Sequence, residues 1–332
     1  MSVLSIGVQG LQLANEELDL LRHPWVGGVT LFKRNIQTPK QTAALISAIR
    51  AASPSALLLS VDQEGGRVQR VIDGASKLPA LGQIGAAYAR DPAHGIELAR
   101  AHATVMASEM RALGFDLSFA PVLDLDRGSR VIGDRAFSAD PNAVRELGRA
   151  YIEALNACGM AACIKHFPGH GSVLEDTHHE RAIDPRTFAE IEASDLIPFA
   201  ALGPLAQAVM LAHVEYPSVD SQPAGYSRVW IGEILRQRLG FAGVVISDDI
   251  GMLGAGNALR ALERISAHLH AGCDHVLVCD PALSSAVLSE LNGAAPPTFA
   301  NVSALLSSAA EPLDLLAART TLYSGLHLPL LS

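Results

Sequence analysis

The stretch Gly243–Cys279, GVVISDDIGMLGAGNALRALERISAHLHAGCDHVLVC, decides how the fold is read. It opens on an apolar run, Gly243–Ile246, and closes on another, His275–Cys279. Runs that are apolar throughout and rich in β-branched residues suit strands covered on both faces, as in a parallel sheet. Between them Leu262, Ile265 and Leu269 fall at steps of three and four, the spacing of one helix face, and Gly272 offers a left-handed stop. The stretch therefore reads as strand, helix and strand.

Outward from it the same unit recurs. Further apolar runs at Val3–Val8, Gly28–Phe32, Ala56–Val61, Leu117–Val122, Ala161–Lys165 and Gln207–Ala212 bring the number of predicted strands to eight. Helical spacing returns in Val144, Leu147, Tyr151 and Leu155 before Gly159, and again from Pro92 to Leu113 before Gly114. Alternation of this kind predicts a single (β/α)8 TIM-type barrel rather than a doubly wound sheet. No linker, repeat or low-complexity tract marks a second domain. The chain is read as one barrel domain over 1–332, with the tail from Gly293 leading into C-terminal helices.

Composition narrows the function. Of 332 residues, 49% are hydrophobic and 18% charged, enough apolar matter for a large core and too much for disorder. The 25 Lys and Arg against 34 Asp and Glu leave a net charge of −9, which disfavours nucleic acid as a partner. No run approaches the roughly 18 apolar residues of a membrane helix, and the first residues lack the pattern of a secretory signal. Cys158, Cys163, Cys273 and Cys279 form no C-x-x-C pair and have apolar neighbours, so they are expected as reduced core thiols in a cytoplasmic protein. No phosphate-binding glycine motif follows a strand, and no cofactor is expected.

In a parallel barrel the chemistry sits where strands end at their C-terminal side. Those places hold Asp62, Asp124, Lys165 with His166, His213, Asp248 with Asp249, and Asp280. The densest segment is Lys165–Glu180, KHFPGHGSVLEDTHHE, a glycine-containing loop able to fold over a site. Asp176 and His178, two residues apart, face the same side of an extended loop, and a carboxylate beside an imidazole fixes its tautomer and raises its pKa. Asp248 ends a strand as a fixed carboxylate suited to attack on an electrophilic carbon, and alternation lets only one of Asp248 and Asp249 face the barrel mouth. Asp62, Arg67 and Arg70 flank a Gly65–Gly66 turn, and Asp with Arg can bind vicinal hydroxyls of a sugar. Arg135 is a further cation on the loop after the fourth strand.

Taken together, VDQEGGRVQR (61–70), SFAPVLD (118–124), IGDRAF (132–137), IKHFPGHG (164–171) with the following Asp176-Thr177-His178, LAHV (211–214) and SDD (247–249) resemble family 3 glycoside hydrolases. The likeness is greatest to the single-domain bacterial β-N-acetylglucosaminidases of cell-wall recycling, and it runs from the first strand to about residue 280. What it implies is retaining hydrolysis that releases terminal N-acetylglucosamine from GlcNAc–1,6-anhydro-MurNAc muropeptides. By motif position it implies Asp248 as nucleophile and His178 as acid/base held by Asp176. It further implies Asp62, Arg70, Arg135, Lys165 and His166 as contacts to sugar hydroxyls. A small amino-sugar substrate, no metal and a monomeric enzyme complete the expectation. The alternatives are a β-N-acetylglucosaminide phosphorylase, a metal-dependent amidohydrolase-type barrel and a non-catalytic sugar-binding protein. The metal-dependent reading would recruit Lys165, His166, His213 and Asp280 but lacks an H-x-H pair after the first strand, where Val8-Gln9-Gly10 stands.

Overall fold

A computed structural model describes residues 2–174, 182–252, 254, 260–297, 302–310 and 314–329. All eight predicted strands form. They are β1 (Leu4–Ile6), β2 (Val26–Leu31), β3 (Leu58–Val61), β4 (Leu117–Ser118), β5 (Cys163–Phe167), β6 (Ala208–Leu211), β7 (Val244–Asp249) and β8 (His275–Val278). Every neighbour pair is parallel, in the order β4-β3-β2-β1-β8-β7-β6-β5. The remaining seam is stitched by the chain just after β4. The N–H of Cys163 donates to Ala120 O (2.9 Å), that of Lys165 to Pro121 O (3.2 Å) and that of Leu123 to Lys165 O (2.7 Å). The sheet closes into a (β/α)8 barrel.

Ten α-helices are described around it. They are α1 (Asn15–Arg22), α2 (Pro39–Ala52), α3 (Leu81–Arg90), α4 (Pro92–Leu113), α5 (Pro141–Ala157), α6 (Phe188–Glu192), α7 (Leu196–Leu202), α8 (Ala261–Ala271), α9 (Pro281–Glu290) and α10 (Leu315–Gly325). A π-type helix, Val229–Arg238, precedes β7. Local chemistry sets the ends. Asp91 and Asp140 cap α4 and α5 by accepting backbone N–H bonds, with proline at the first helical turn of each. Gly114 (φ 100°) and Gly272 (φ 109°) stop α4 and α8 in the left-handed region, where a Cβ is strained.

The strands divide their side chains as a period of two requires. Leu58, Leu117, Cys163, Met210, Ile246 and Leu277 fill the barrel interior, joined by Val302 and Leu305 of the C-terminal segment. Val29, Leu59, Val61, Ile164, Val209, Val245 and Val276 face the helices. Each such fully buried Val or Leu contributes about 1.5–3 kcal/mol of burial free energy. All four cysteines are free and buried. Among the described residues no helix is long and apolar enough to cross a membrane.

Candidate active site

At the C-terminal ends of the strands lies a cleft of about 460 Å³. Eight of the residues singled out in the sequence border it: Asp62, Arg67, Arg70, Arg135, Lys165, His166, Asp248 and Asp249. They come from four separate segments, so only the closed barrel brings them together. His178 and Asp176 lie outside the described residues. Asp280 is not at the cleft; it caps α9, accepting from the N–H of Leu283 at 2.7 Å, because the strand has ended before its side chain can turn inward.

One wall is an ionic lattice. Lys165 Nζ lies 2.9 Å from Asp62 Oδ1 and 2.6 Å from Glu64 Oε1, with its side chain almost wholly buried. Arg135 grips Glu64 through two parallel bonds, Nε to Oε2 and Nη2 to Oε1, both 2.8 Å. Burial alone would raise the Glu64 carboxyl, but the charges and hydrogen bonds of Arg135 and Lys165 hold it far below the usual carboxylate range. Burial would likewise lower Lys165, and Asp62 and Glu64 keep it above its ordinary value. Arg70 Nη2 reaches to 3.5 Å from Asp62 Oδ2. Arg67 turns aside to bond Val131 O and pair with Asp134 at 3.6 Å.

Next to this wall, Asp124 organises the start of the loop after β5. Its carboxylate accepts from His166 Nδ1 at 2.6 Å and from the N–H of His170 at 2.7 Å. Burial works against the Asp124 charge, but His166 and His170 outweigh it and bring the pKa below normal. The His170 ring also borders the cleft; burial pushes it down to about 4.

Across from the lattice stands Asp248, half-buried. Its Oδ1 accepts from the N–H of Asp249 at 2.8 Å. Burial would raise its carboxyl, yet His213, His166, that N–H and Lys165 together lower it, so it is ionised at neutral pH. His213 Nε2 is 3.1 Å from the Asp249 carbonyl oxygen, which makes Nε2 the protonated nitrogen. Asp249 Oδ1 accepts from the N–H groups of Gly251 and Cys279, both at 3.0 Å, tying β7 to the end of β8. Burial raises the Asp249 carboxyl.

Strict alternation would admit only one residue of the Asp248–Asp249 pair to the cleft, yet both border it. The cause is a slip in register. On β7, Ile246 pairs with His275 and Asp249 with Leu277, three residues against two. The same slip on β5, between Ile164 and Phe167, admits both Lys165 and His166. Such irregularities re-aim side chains and have no signature in the apolar pattern. Sequence reasoning also passes over Glu64, although it sits inside the quoted VDQEGG segment, because its partners lie far along the chain. Among the described residues no group of three or more His, Cys, Asp or Glu is placed to hold a metal ion.

Comparisons agree on one family. The profile described as "Glycosyl hydrolase family 3 N terminal domain" matches residues 2–305. A beta-hexosaminidase of Xanthomonas euvesicatoria is 56% identical over 292 residues, 88% of this chain and 87% of its own. One from Stenotrophomonas maltophilia is equally similar, at 56% over 292 residues with the same shares of the two chains. Among solved structures, NagZ from Neisseria gonorrhoeae in complex with N-trifluoroacetyl-D-glucosamine superposes with a TM-score of 0.89 at 36% identity, covering 98% of both chains. A family 3 beta-N-acetylglucosaminidase from a Paenibacillus species gives 0.81 at 34% identity over 87% of this chain and 56% of its own.

Proposed function

The chain belongs to glycosyl hydrolase family 3 and is a glycosidase of the β-N-acetylhexosaminidase type, and from that premise we propose a retaining exo-β-N-acetylglucosaminidase with Asp248 as nucleophile. The observation that carries the reading is the pairing of an ionised Asp248 with the Asp62–Lys165–Glu64–Arg135 lattice in one cleft. The lattice, with Arg70 and His166, presents rigid donors and acceptors suited to sugar hydroxyls. Asp248 attacks the anomeric carbon as the bond to the aglycone oxygen breaks, giving a covalent glycosyl-enzyme through an oxocarbenium-like transition state.

The leaving oxygen needs a proton from the other face of the ring. Glu64 cannot give one, since its cations hold it ionised. Asp249 leaves the same strand as Asp248 and stands on the nucleophile's side. By the motif position that the family 3 likeness implies, we assign the proton to His178 with Asp176 as its partner, in the segment that follows β5. His178 then takes a proton from water as that water displaces Asp248, and the configuration is retained. The substrate we assign is the GlcNAc–1,6-anhydro-MurNAc muropeptide of cell-wall recycling, cleaved by a monomer in the cytoplasm, a reducing place that buried free thiols fit. No metal takes part in this scheme.

The test is release of 4-nitrophenol from its N-acetyl-β-D-glucosaminide with EDTA and phosphate present. Turnover by wild type, with free sugar as product and at least about a thousandfold loss in Asp248→Ala, is the expected result. Sugar 1-phosphate as product would make the enzyme a phosphorylase, and full activity in Asp248→Ala would remove Asp248 from the chemistry.

A further inference from the structure

Helix α10 lies beyond residue 305, where the family match stops, yet it is bonded to the loop that carries a residue of the cleft. Arg319 Nε donates to Ser76 Oγ (3.0 Å), and Arg319 Nη2 pairs with Glu109 Oε1 (2.7 Å). Glu109, on α4, in turn accepts from the Ser76 N–H (2.9 Å) and hydroxyl (2.5 Å). One helical turn on, Tyr323 OH donates to Lys77 O at 3.1 Å. Two residues of α10 thus pin Ser76 and Lys77.

From there the bonds lead inward. Gln69 Nε2 donates to Ser76 O and to Val71 O, both 2.9 Å, while its Oε1 accepts from the Leu78 N–H at 3.0 Å. Gln63 holds the other side, its Oε1 accepting from the N–H groups of Arg70 and Val71 at 3.0 Å. Arg70 is therefore fixed by its backbone, between two glutamine amides, one of which is anchored to α10. Its side chain has little else to aim it. The contact to Asp62 is long at 3.5 Å, and its buried Nε has no hydrogen-bond partner among the described residues.

We infer that α10 is a positioning element for the sugar-binding Arg70, with Arg319 and Tyr323 as positioning residues acting through Ser76, Lys77 and Gln69. This rests on the reading of the cleft as an N-acetylglucosamine site. The aim of a long, weakly held cation depends on its backbone anchor, and a displacement well under 1 Å is enough to spoil directional hydrogen bonds.

Replacing Arg319 alone would strand the buried Glu109 carboxylate, so the test uses the double variant Glu109→Gln/Arg319→Met, with Tyr323→Phe as a milder and independent probe. Two quantities are read on each: kcat and KM for the aryl N-acetylglucosaminide, and the dissociation constant of N-acetylglucosamine by calorimetry. The double variant is expected to raise KM and the dissociation constant about fivefold with kcat within about twofold of wild type, and Tyr323→Phe to raise them about twofold. A merely structural role predicts a different pattern, because a smaller folded fraction lowers apparent kcat and leaves KM where it was. Unchanged KM and dissociation constant in both variants overturn the inference. If wild type binds the sugar but turns over no substrate, the glycosidase reading falls, and the dissociation constants alone decide the role of α10.

Discussion

On the β3–β5 wall of the cleft the buried charges stand against opposite charges: Asp62 and Glu64 on Lys165, and Glu64 again on Arg135. On the β6–β7 wall Asp248 is held, among the described residues, by one backbone N–H and by the fields of His213 and His166. The first wall is rigid because its members satisfy one another, and rigidity suits groups that must hold hydroxyls in one orientation. The second leaves lone pairs of Asp248 unspent, and a nucleophile needs them. A site of this kind separates holding from reacting by how completely each side is paired.

The contrast is broken most directly at Glu64. Glu64→Gln keeps the shape but leaves Lys165 and Arg135 as buried cations facing each other. Removing one partner of a buried pair costs about 3 kcal/mol, and the expected result is that loss in urea unfolding together with a KM raised more than about tenfold. Asp248→Asn is expected to leave unfolding within about 1 kcal/mol of wild type while removing turnover. Equal losses of stability in the two variants would mean that the walls are built alike.

The barrel was legible from the sequence because its signals are local. The run Val244–Ile246, the helical spacing of Leu262, Ile265 and Leu269 and the stop at Gly272 each need only neighbouring residues, and all appear where expected. The lattice was legible only in part, because its partners are remote. Glu64 meets Arg135 across 71 residues of chain, and His166 meets Asp124 across 42. No spacing rule pairs them; strand-end position singled out Asp124 and His166 without joining them, and the reading reached Arg135 but not Glu64, the carboxylate that holds it. The two register slips are invisible for another reason, since they are properties of strand pairing, which an apolar pattern does not encode.

Behind Asp248 the contrast can be sharpened with pH. His213 and His268 are buried with ring centroids 5.6 Å apart, and Tyr226 lies 4.6 Å from His268 on its other side. Burial lowers the pKa of His213, and that of His268 well below 6.5. The unfolded chain therefore binds protons that the folded one refuses as pH falls below 6.5, so the folded state loses stability with falling pH in that range. The carboxylates Glu64 and Asp124, with depressed folded values, lose stability only when pH drops below the unfolded carboxylate range near 4. Acid should therefore act on the buried histidines, His170 beside the first wall among them, before it reaches the carboxylates. His268→Leu is expected to flatten the dependence of unfolding free energy below pH 6.5, by an amount that rises to about 1.4 kcal/mol per pH unit near pH 5, one proton's worth. An unchanged slope would show that His268 already carries its proton in the fold.

The finest division runs between two adjacent carboxylates of one strand. Asp249 borders the cleft like Asp248, but its Oδ1 is taken by the N–H groups of Gly251 and Cys279, and burial raises its pKa instead of letting it fall. An amide oxygen accepts those two bonds as well as a carboxylate oxygen does, so the charge of Asp249 is dispensable where its shape is not. Asp249→Asn should then keep kcat within about threefold of wild type, whereas Asp249→Ala strands two N–H groups at a cost of about 1–3 kcal/mol each and loosens the end of β7 beside the nucleophile. Measured side by side with the aryl substrate, Asn well above Ala at this position assigns Asp249 to the frame. Asn as damaging here as at Asp248 would put both carboxylates into the reaction, and pairing would no longer distinguish the wall that holds from the wall that reacts.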